Sequence, residues 1–216
     1  MIRDFGAGDI IYLIFAARWT LALTALAFAG GAVVGLALAV ARIAPSRLLR
    51  FFAAAYIQIV QGTPLLVWLF VFYFGLSIAG LSVNAWTAAA FAYSIYGGAF
   101  LGEIWRGALM AVAPTQWEAG ASLGLTYAQQ MRHIIIPQAI RIATPPTIGF
   151  LVQLIKNTSL AATIGFVELT REGQLTSAST YKPFAVYVTV ACIYFLICFP
   201  LTSWSRQLEE RFHVAR

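Results

Sequence analysis

Long apolar runs separated by short polar breaks dominate the chain. Trp19 to Ala41 is an uncharged run of 23 residues between Arg18 and Arg42. Phe51 to Gly102 carries no charge at all, and at about 20 residues per membrane crossing it is long enough for two helices. Glycine and polar residues near Gly75 to Ser77 and Gly80 to Asn84 suit a turn between them. Ile142 to Val167 is interrupted only by Lys156, and Pro183 to Ser205 is a second uncharged run of 23. The pattern predicts an all-α integral membrane protein with five transmembrane helices, at approximately 19–41, 53–74, 86–108, 143–165 and 184–205. These spans form one transmembrane domain, 17–205, between an N-terminal segment, 1–16, and a C-terminal tail, 206–216.

The longest polar connector, 114–141, has helical punctuation of its own. Thr115-Gln116-Trp117-Glu118 and Thr126-Tyr127-Ala128-Gln129 both have the capping-box form, so helices are expected to begin near Thr115 and Thr126. Gly124 lies between them and suits a left-handed residue just past a helix end. Pro137 is expected to end the second helix, because it lacks an amide hydrogen. The expected shape is helix, glycine corner, helix.

Composition agrees with a membrane setting. Hydrophobic residues make up 61% of the 216 and charged residues 10%, with a mean hydropathy of +0.81, too little polar surface to cover a soluble globule. The net charge of +6 is spread along the edges of the apolar runs, which argues for membrane topology and against a nucleic-acid face. With the N-terminus outside, the inner segments hold Arg42, Arg47, Arg50, Arg106, Arg132, Arg141, Arg206, Arg211 and Arg216. The outer ones hold Arg3, Arg18, Lys156, Arg171 and Lys182. Nine against five favours an outside N-terminus, a cytoplasmic C-terminus and a cytoplasmic 114–141 loop. The first apolar run is too long for a signal peptide and is expected to be retained.

Catalytic chemistry finds little support. No G-x-x-x-x-G-K-[ST] occurs, no Ser/His/Asp or Cys/His set is apparent, and His133 and His213 lack partners at metal-ligand spacing. Cys192 and Cys198 read as small apolar residues of the last span. An ion-coupled secondary transporter would normally show ionisable residues inside its spans and two similar halves, and neither is visible. The spacings Gly31/Gly35 and Gly98/Gly102 suit close helix packing, and would serve a non-transporting structural subunit as well as a transporter. Glu103 and Arg106, three apart, are expected to pair with each other.

Four motifs carry a resemblance. Glu118-Ala119-Gly120, then Gly124, then Ile134, Ile136 and Pro137 resembles the EAA loop of ABC-importer permeases, with Gly120 in place of the second alanine and Ile136 in place of leucine. Gln61-Gly62-Thr63-Pro64-Leu65-Leu66 is similar to the R-G-T-P-L-L segment of the polar-amino-acid permeases, with Gln61 where arginine is common. Glu103 to Gly107 is similar to their E-I-x-R-G, and Lys156 to Leu160, Ile164-Gly165 and Glu168-Leu169 to their K-[DN]-[ST]-S-L…I-G…E-L. The resemblance covers about residues 17–212. It implies a type I importer transmembrane domain in a bacterial inner membrane, with Glu118, Ala119, Gly120, Gly124 and Pro137 coupling to a separate ATPase. That ATPase would use ATP and Mg2+, and the permease itself no cofactor or metal. Other implied partners are a second permease copy or paralogue and a periplasmic or lipid-anchored solute-binding protein. The implied solute is a polar amino acid or a derivative such as an opine. Its path would run past Gln61, Gly62, Thr63 and Pro64, and past Asn157, Thr158, Ser159 and Glu168. Gly62 and Pro64 loosen the helix ladder, and Lys156 to Ser159 would be costly against lipid, so both segments suit a cavity.

Overall fold

The computed structural model describes residues 4–213, with the side chain of His213 outside that description. Arg3 and Arg216 of the charge count also lie outside it. The described residues form helices and connecting turns, with no strand.

Helix α1 spans Ala7–Ile43. It starts well before the expected 19, so most of the N-terminal segment 1–16 is helical. Asp9 Oδ2 accepts from Gly6 N at 2.9 Å, which satisfies one orphan amide of the first turn. Leu13 and Ala17 then pack on Leu169, Val186 and Val190, giving this extra length a core of its own. At its N-terminal side Lys182 Nζ donates to Asp4 Oδ1 at 2.6 Å, and that bond holds the Asp4 carboxyl below its usual pKa.

The expected second span is two helices, α2 (Arg47–Gln61) and α3 (Leu65–Ile78), bent by 98° at Gly62-Thr63-Pro64. Pro64 takes away an amide and restricts Thr63 to extended backbone, so the helix cannot continue straight. Helix α4 (Ala85–Met110) begins at Asn84, whose Oδ1 accepts from Thr87 N at 2.9 Å. A short helix α5 (Pro114–Ser122) leads to α6 (Tyr127–Ile164), then α7 (Leu169–Thr180) and α8 (Pro183–His213). Residues 206–213 continue α8 and do not form a separate tail.

Two local expectations are corrected. Helix α5 begins earlier than expected, with Ala113 in place of Thr115 as its N-cap and no side-chain cap, because Pro114 is preorganised for the first helical position. Thr115 is therefore inside the helix and its capping box is absent. Pro137 does not end α6 either. A π-turn over Met131–Ile135 precedes it and widens the helix where the proline ring would strike the preceding turn.

Helices α1, α6 and α8 are long and apolar enough to cross a membrane, and the bent α2–α3 pair makes a fourth when taken as one span. Helix α4 is long enough but less apolar, because it sits among the others and its Ala88, Ala92, Tyr93 and Leu101 are buried against protein. Polar side chains tie it to its neighbours. Tyr56 donates to Ile95 O at 3.0 Å, Tyr93 to Asn157 O at 2.5 Å, and Trp105 Nε1 to Thr147 Oγ1 at 3.1 Å. Glu103 and Arg106 form the expected pair, with Arg106 Nε on Glu103 Oε2 at 2.9 Å.

The two glycine pairs face each other across α1 and α4. A Cβ on Gly35 would lie 2.9 Å from Leu101 Cβ and 3.0 Å from Gly102 N, so the backbones meet where no side chain fits. Gly35→Val is therefore expected to destabilise the bundle by about 1–3 kcal/mol through overpacking. The thermal midpoint of the purified protein in detergent measures this. A midpoint equal to that of Gly149→Ala, where a Cβ meets nothing within 4 Å, would refute the packing role.

Candidate coupling corner and solute path

Helix α5, Gly124 and the start of α6 form a corner at one end of the bundle. Gly124 has φ +72°, and its amide donates to Ala121 O at 2.9 Å while Leu125 N donates to Gly120 O at 3.1 Å. These bonds use up carbonyls that the end of α5 would leave bare. The second capping box forms as expected, with Thr126 N on Gln129 Oε1 at 2.8 Å and Gln129 N on Thr126 Oγ1 at 3.4 Å.

The corner is fixed to α6 from inside. Val112, Ile135 and Ala139 are buried together, with Trp117 and Met131 against them, and Trp117 stacks on Tyr127 at 5.8 Å. Gln130 is buried, and its Nε2 donates to Leu125 O at 2.9 Å. This explains the departure at 120. A Cβ there would lie 2.9 Å from Gln130 Cγ, so a glycine leaves room for the glutamine that clamps the corner. The sequence holds both residues, but only the fold shows them in contact.

Outward, Glu118, Ala119, Gly124 and Pro137 are exposed, whereas Gly120 is buried. Leu123 at the tip is 77% exposed, an apolar side chain presented for contact. Beside it lies a groove of about 430 Å³ lined by Ile43, Met110, Pro114, Trp117, Glu118 and Tyr127.

The two expected path segments do meet. Helix α3 packs on the 3₁₀ segment Thr158–Ile164 that ends α6, and Leu65, Leu69, Ala161 and Ile164 share one core. Their polar side chains differ in availability. Gln61 Nε2 donates to Ala99 O at 3.3 Å, so it pins the elbow to α4. Gly62 and Pro64 are exposed, while the half-buried Thr63 donates to Ile59 O at 2.8 Å. Ser159 donates to Lys156 O at 2.8 Å and stays half-buried, with its lone pairs available. Thr158 is fully buried and donates to Ile155 O at 2.7 Å. The Asn157 carboxamide has no hydrogen-bond partner among the described residues and is half-buried. Gln153, exposed one helical turn earlier on that face, is a polar residue in an apolar run that the sequence reading passed over.

Glu168 has 0% exposure. It caps α7 through Arg171 N at 2.9 Å, and accepts from Tyr194 OH at 2.9 Å and Thr20 Oγ1 at 3.2 Å. In this conformation it fastens α1, α7 and α8 together and is closed to any solute. Thr158 is equally closed. His133 Nδ1 lies 3.0 Å from Gln129 O, and no His/Cys/Asp/Glu group suited to a metal occurs among the described residues.

Residues 31–214 match the binding-protein-dependent transport system inner membrane component family. The chain belongs to that family. It is a permease subunit of an ABC importer, a multi-pass membrane protein whose ATP hydrolysis lies in a separate subunit and whose family works with ATPase and solute-binding partners. Among its relatives, the probable amino-acid ABC transporter permease protein YckA of Bacillus subtilis is 39% identical over 201 residues, 93% of this chain and 89% of that one. The probable glutamine ABC transporter permease protein GlnM of the same organism is 40% identical over 192 residues, 89% of each chain. The glutamine transport system permease protein GlnP of Escherichia coli is 35% identical over 204 residues, 94% and 93%. A crystal structure of an amino acid ABC transporter with histidines superposes with a TM-score of 0.89 at 35% identity, covering 98% of this chain and 100% of that one. The inward-facing MetNI methionine ABC transporter, at 23% identity and a TM-score of 0.73 over 94% and 99% of the chains, shares the fold.

Proposed function

We propose that this permease carries a polar amino acid or a derivative inward, paired with a second copy or a paralogue and with two ATPases that consume ATP and Mg2+. The N-terminus and 166–183 are outside, and 109–141 and the C-terminus are cytoplasmic. A periplasmic or lipid-anchored binding protein delivers the solute. Relatives named for amino acids, glutamine among them, support the solute class.

The observation that carries the coupling assignment is the fixed corner. Because α5 is clamped to α6 through Gln130 and the Ile135 cluster, a push on Glu118, Leu123 or Gly124 moves α6 as a body. Helix α6 packs on α4 and α8 and carries Asn157 just before its final 3₁₀ segment, so the push reaches the solute path. Glu168 keeps α1, α7 and α8 joined at the other end while this happens. Uptake of labelled L-glutamine, L-arginine and L-histidine by the reconstituted importer with its binding protein tests the solute class; no uptake of any amino acid would reject it.

Orientation has its own test. Cysteine introduced at Thr126 in a protein with Cys192 and Cys198 replaced is expected to resist an impermeant thiol reagent in intact cells and to react in inverted vesicles. Strong labelling in intact cells would overturn both the orientation and the docking role, since an outward corner cannot meet a cytoplasmic ATPase.

A further inference from the structure

A second groove, of about 460 Å³, lies between α6 and α8, away from the coupling corner and from Asn157. Arg141, Pro145, Pro146, Gly149, Ser205 and Glu209 line it. Its level is set by the sequence: the apolar run of α6 starts at Ile142, and that of α8 stops at Ser205. The groove therefore opens where both helices leave the hydrocarbon layer.

Its chemistry is two-sided. Pro145 and Pro146 lie inside α6 and have no amide hydrogen, so the carbonyls of Arg141 and Ile142, four residues earlier, lose their regular helical donors. Ser205 donates to Pro145 O at 2.8 Å, which holds α8 against the proline pair and does not replace the donors that those two carbonyls lose. Glu209 is exposed and has no cationic partner among the described residues. Arg141 is exposed and has no carboxylate partner among them. A carboxylate and two carbonyls suit an ammonium group with several N–H donors, and a guanidinium beside them suits an anion. Gly149 leaves the floor open, since a Cβ there would meet nothing within 4 Å.

We propose that this groove binds a molecule carrying an ammonium and an anionic group a few bonds apart, and that the occupant is the headgroup of an aminophospholipid such as phosphatidylethanolamine. Its phosphate meets Arg141, and its ammonium meets Glu209 and the freed carbonyls. The headgroup-level position favours a lipid, whose chains continue along the apolar face of α8, where Phe195, Leu196 and Phe199 are exposed. A free α-amino acid has the same two groups and is the other source. The site does not depend on the proposed solute.

The purified importer complex, exposed in detergent to equal amounts of phosphatidylethanolamine, phosphatidylcholine and phosphatidylglycerol, is separated from free lipid, and retained lipid is measured by mass spectrometry. Phosphatidylethanolamine is expected to be retained over the other two, because the choline nitrogen donates no hydrogen bond and the glycerol headgroup has no cation. Arg141→Gln and Glu209→Gln are each expected to cut that retention about tenfold, and Gly149→Leu, which fills the groove from open space, to do the same. Arg141→Lys keeps the charge and should retain most of it, and an unchanged thermal midpoint in Gly149→Leu separates blocking from unfolding. Equal retention of the three lipids, or unchanged retention in all three disabling variants, overturns the proposal. If labelled L-glutamine binds the lipid-depleted complex and the same variants abolish its binding, the site stands with a free amino acid as its occupant. Failure of amino-acid uptake, by contrast, rejects only the proposed solute class and leaves the lipid result as measured.

Discussion

Gly124→Leu is expected to leave the permease inserted at normal abundance and to lower transport at least tenfold. Two effects combine. At φ +72° a side chain strains the backbone by about 1–2 kcal/mol, which pulls against the Gly120–Leu125 and Ala121–Gly124 hydrogen bonds that shape the corner. The added bulk also points into open space, since a Cβ at 124 meets nothing within 4 Å of its own chain, so it obstructs whatever docks there. Gly124→Asn separates the two, because asparagine tolerates the left-handed region and adds less apolar bulk. Uptake and ATPase co-purification at matched membrane abundance are the measurements. The order expected is glycine, then asparagine, then leucine, with ATPase recovery falling alongside transport in the leucine variant. Normal uptake by Gly124→Leu would show that the corner does not couple. Glu118→Ala is expected to act in the same direction and more weakly, since its side chain is exposed and caps nothing in the structure.

The second large effect is expected at Asn157. Its half-buried carboxamide has no hydrogen-bond partner among the described residues, whereas Thr63 and Ser159 each donate to a backbone carbonyl four or three residues earlier. A zwitterionic solute leaving water needs replacement partners, and an unsatisfied polar group in a dry site costs on the order of 1–3 kcal/mol. Asn157→Ala is therefore expected to weaken uptake about tenfold or more at limiting solute, with ATPase assembly intact. Thr63→Val and Ser159→Ala lose one acceptor each and are expected to have smaller effects in the same direction. The readout is the concentration dependence of uptake, with co-purification as the control for assembly. If Asn157→Ala matches the unmodified permease in both affinity and rate, the pocket lies elsewhere or in the partner permease.

The sequence by itself determined the setting and the local punctuation. Uncharged runs of 23 residues cannot be covered by a soluble surface, so the membrane class follows from composition. A left-handed corner at Gly124, a capping box at Thr126 and an ion pair from Glu103 to Arg106 depend on neighbours a few residues apart, and such terms can be read along the chain. Whatever depended on distant residues had to wait for the fold. Pro64 marked a break in the second span, but only the fold shows that both halves of the 98° elbow pack on α4, α2 being bonded there through Gln61 and Tyr56. Pro137 looked like a stop, and packing of Ile135 and Ala139 on the distant Val112 made it worth widening the helix instead. Glu168 looked like a solute contact, and Thr20 and Tyr194, 148 and 26 residues away, turn it into a buried fastener. In each case the deciding partner is far away in sequence. A local pattern fixes which conformations a segment can adopt, and burial against distant residues selects among them.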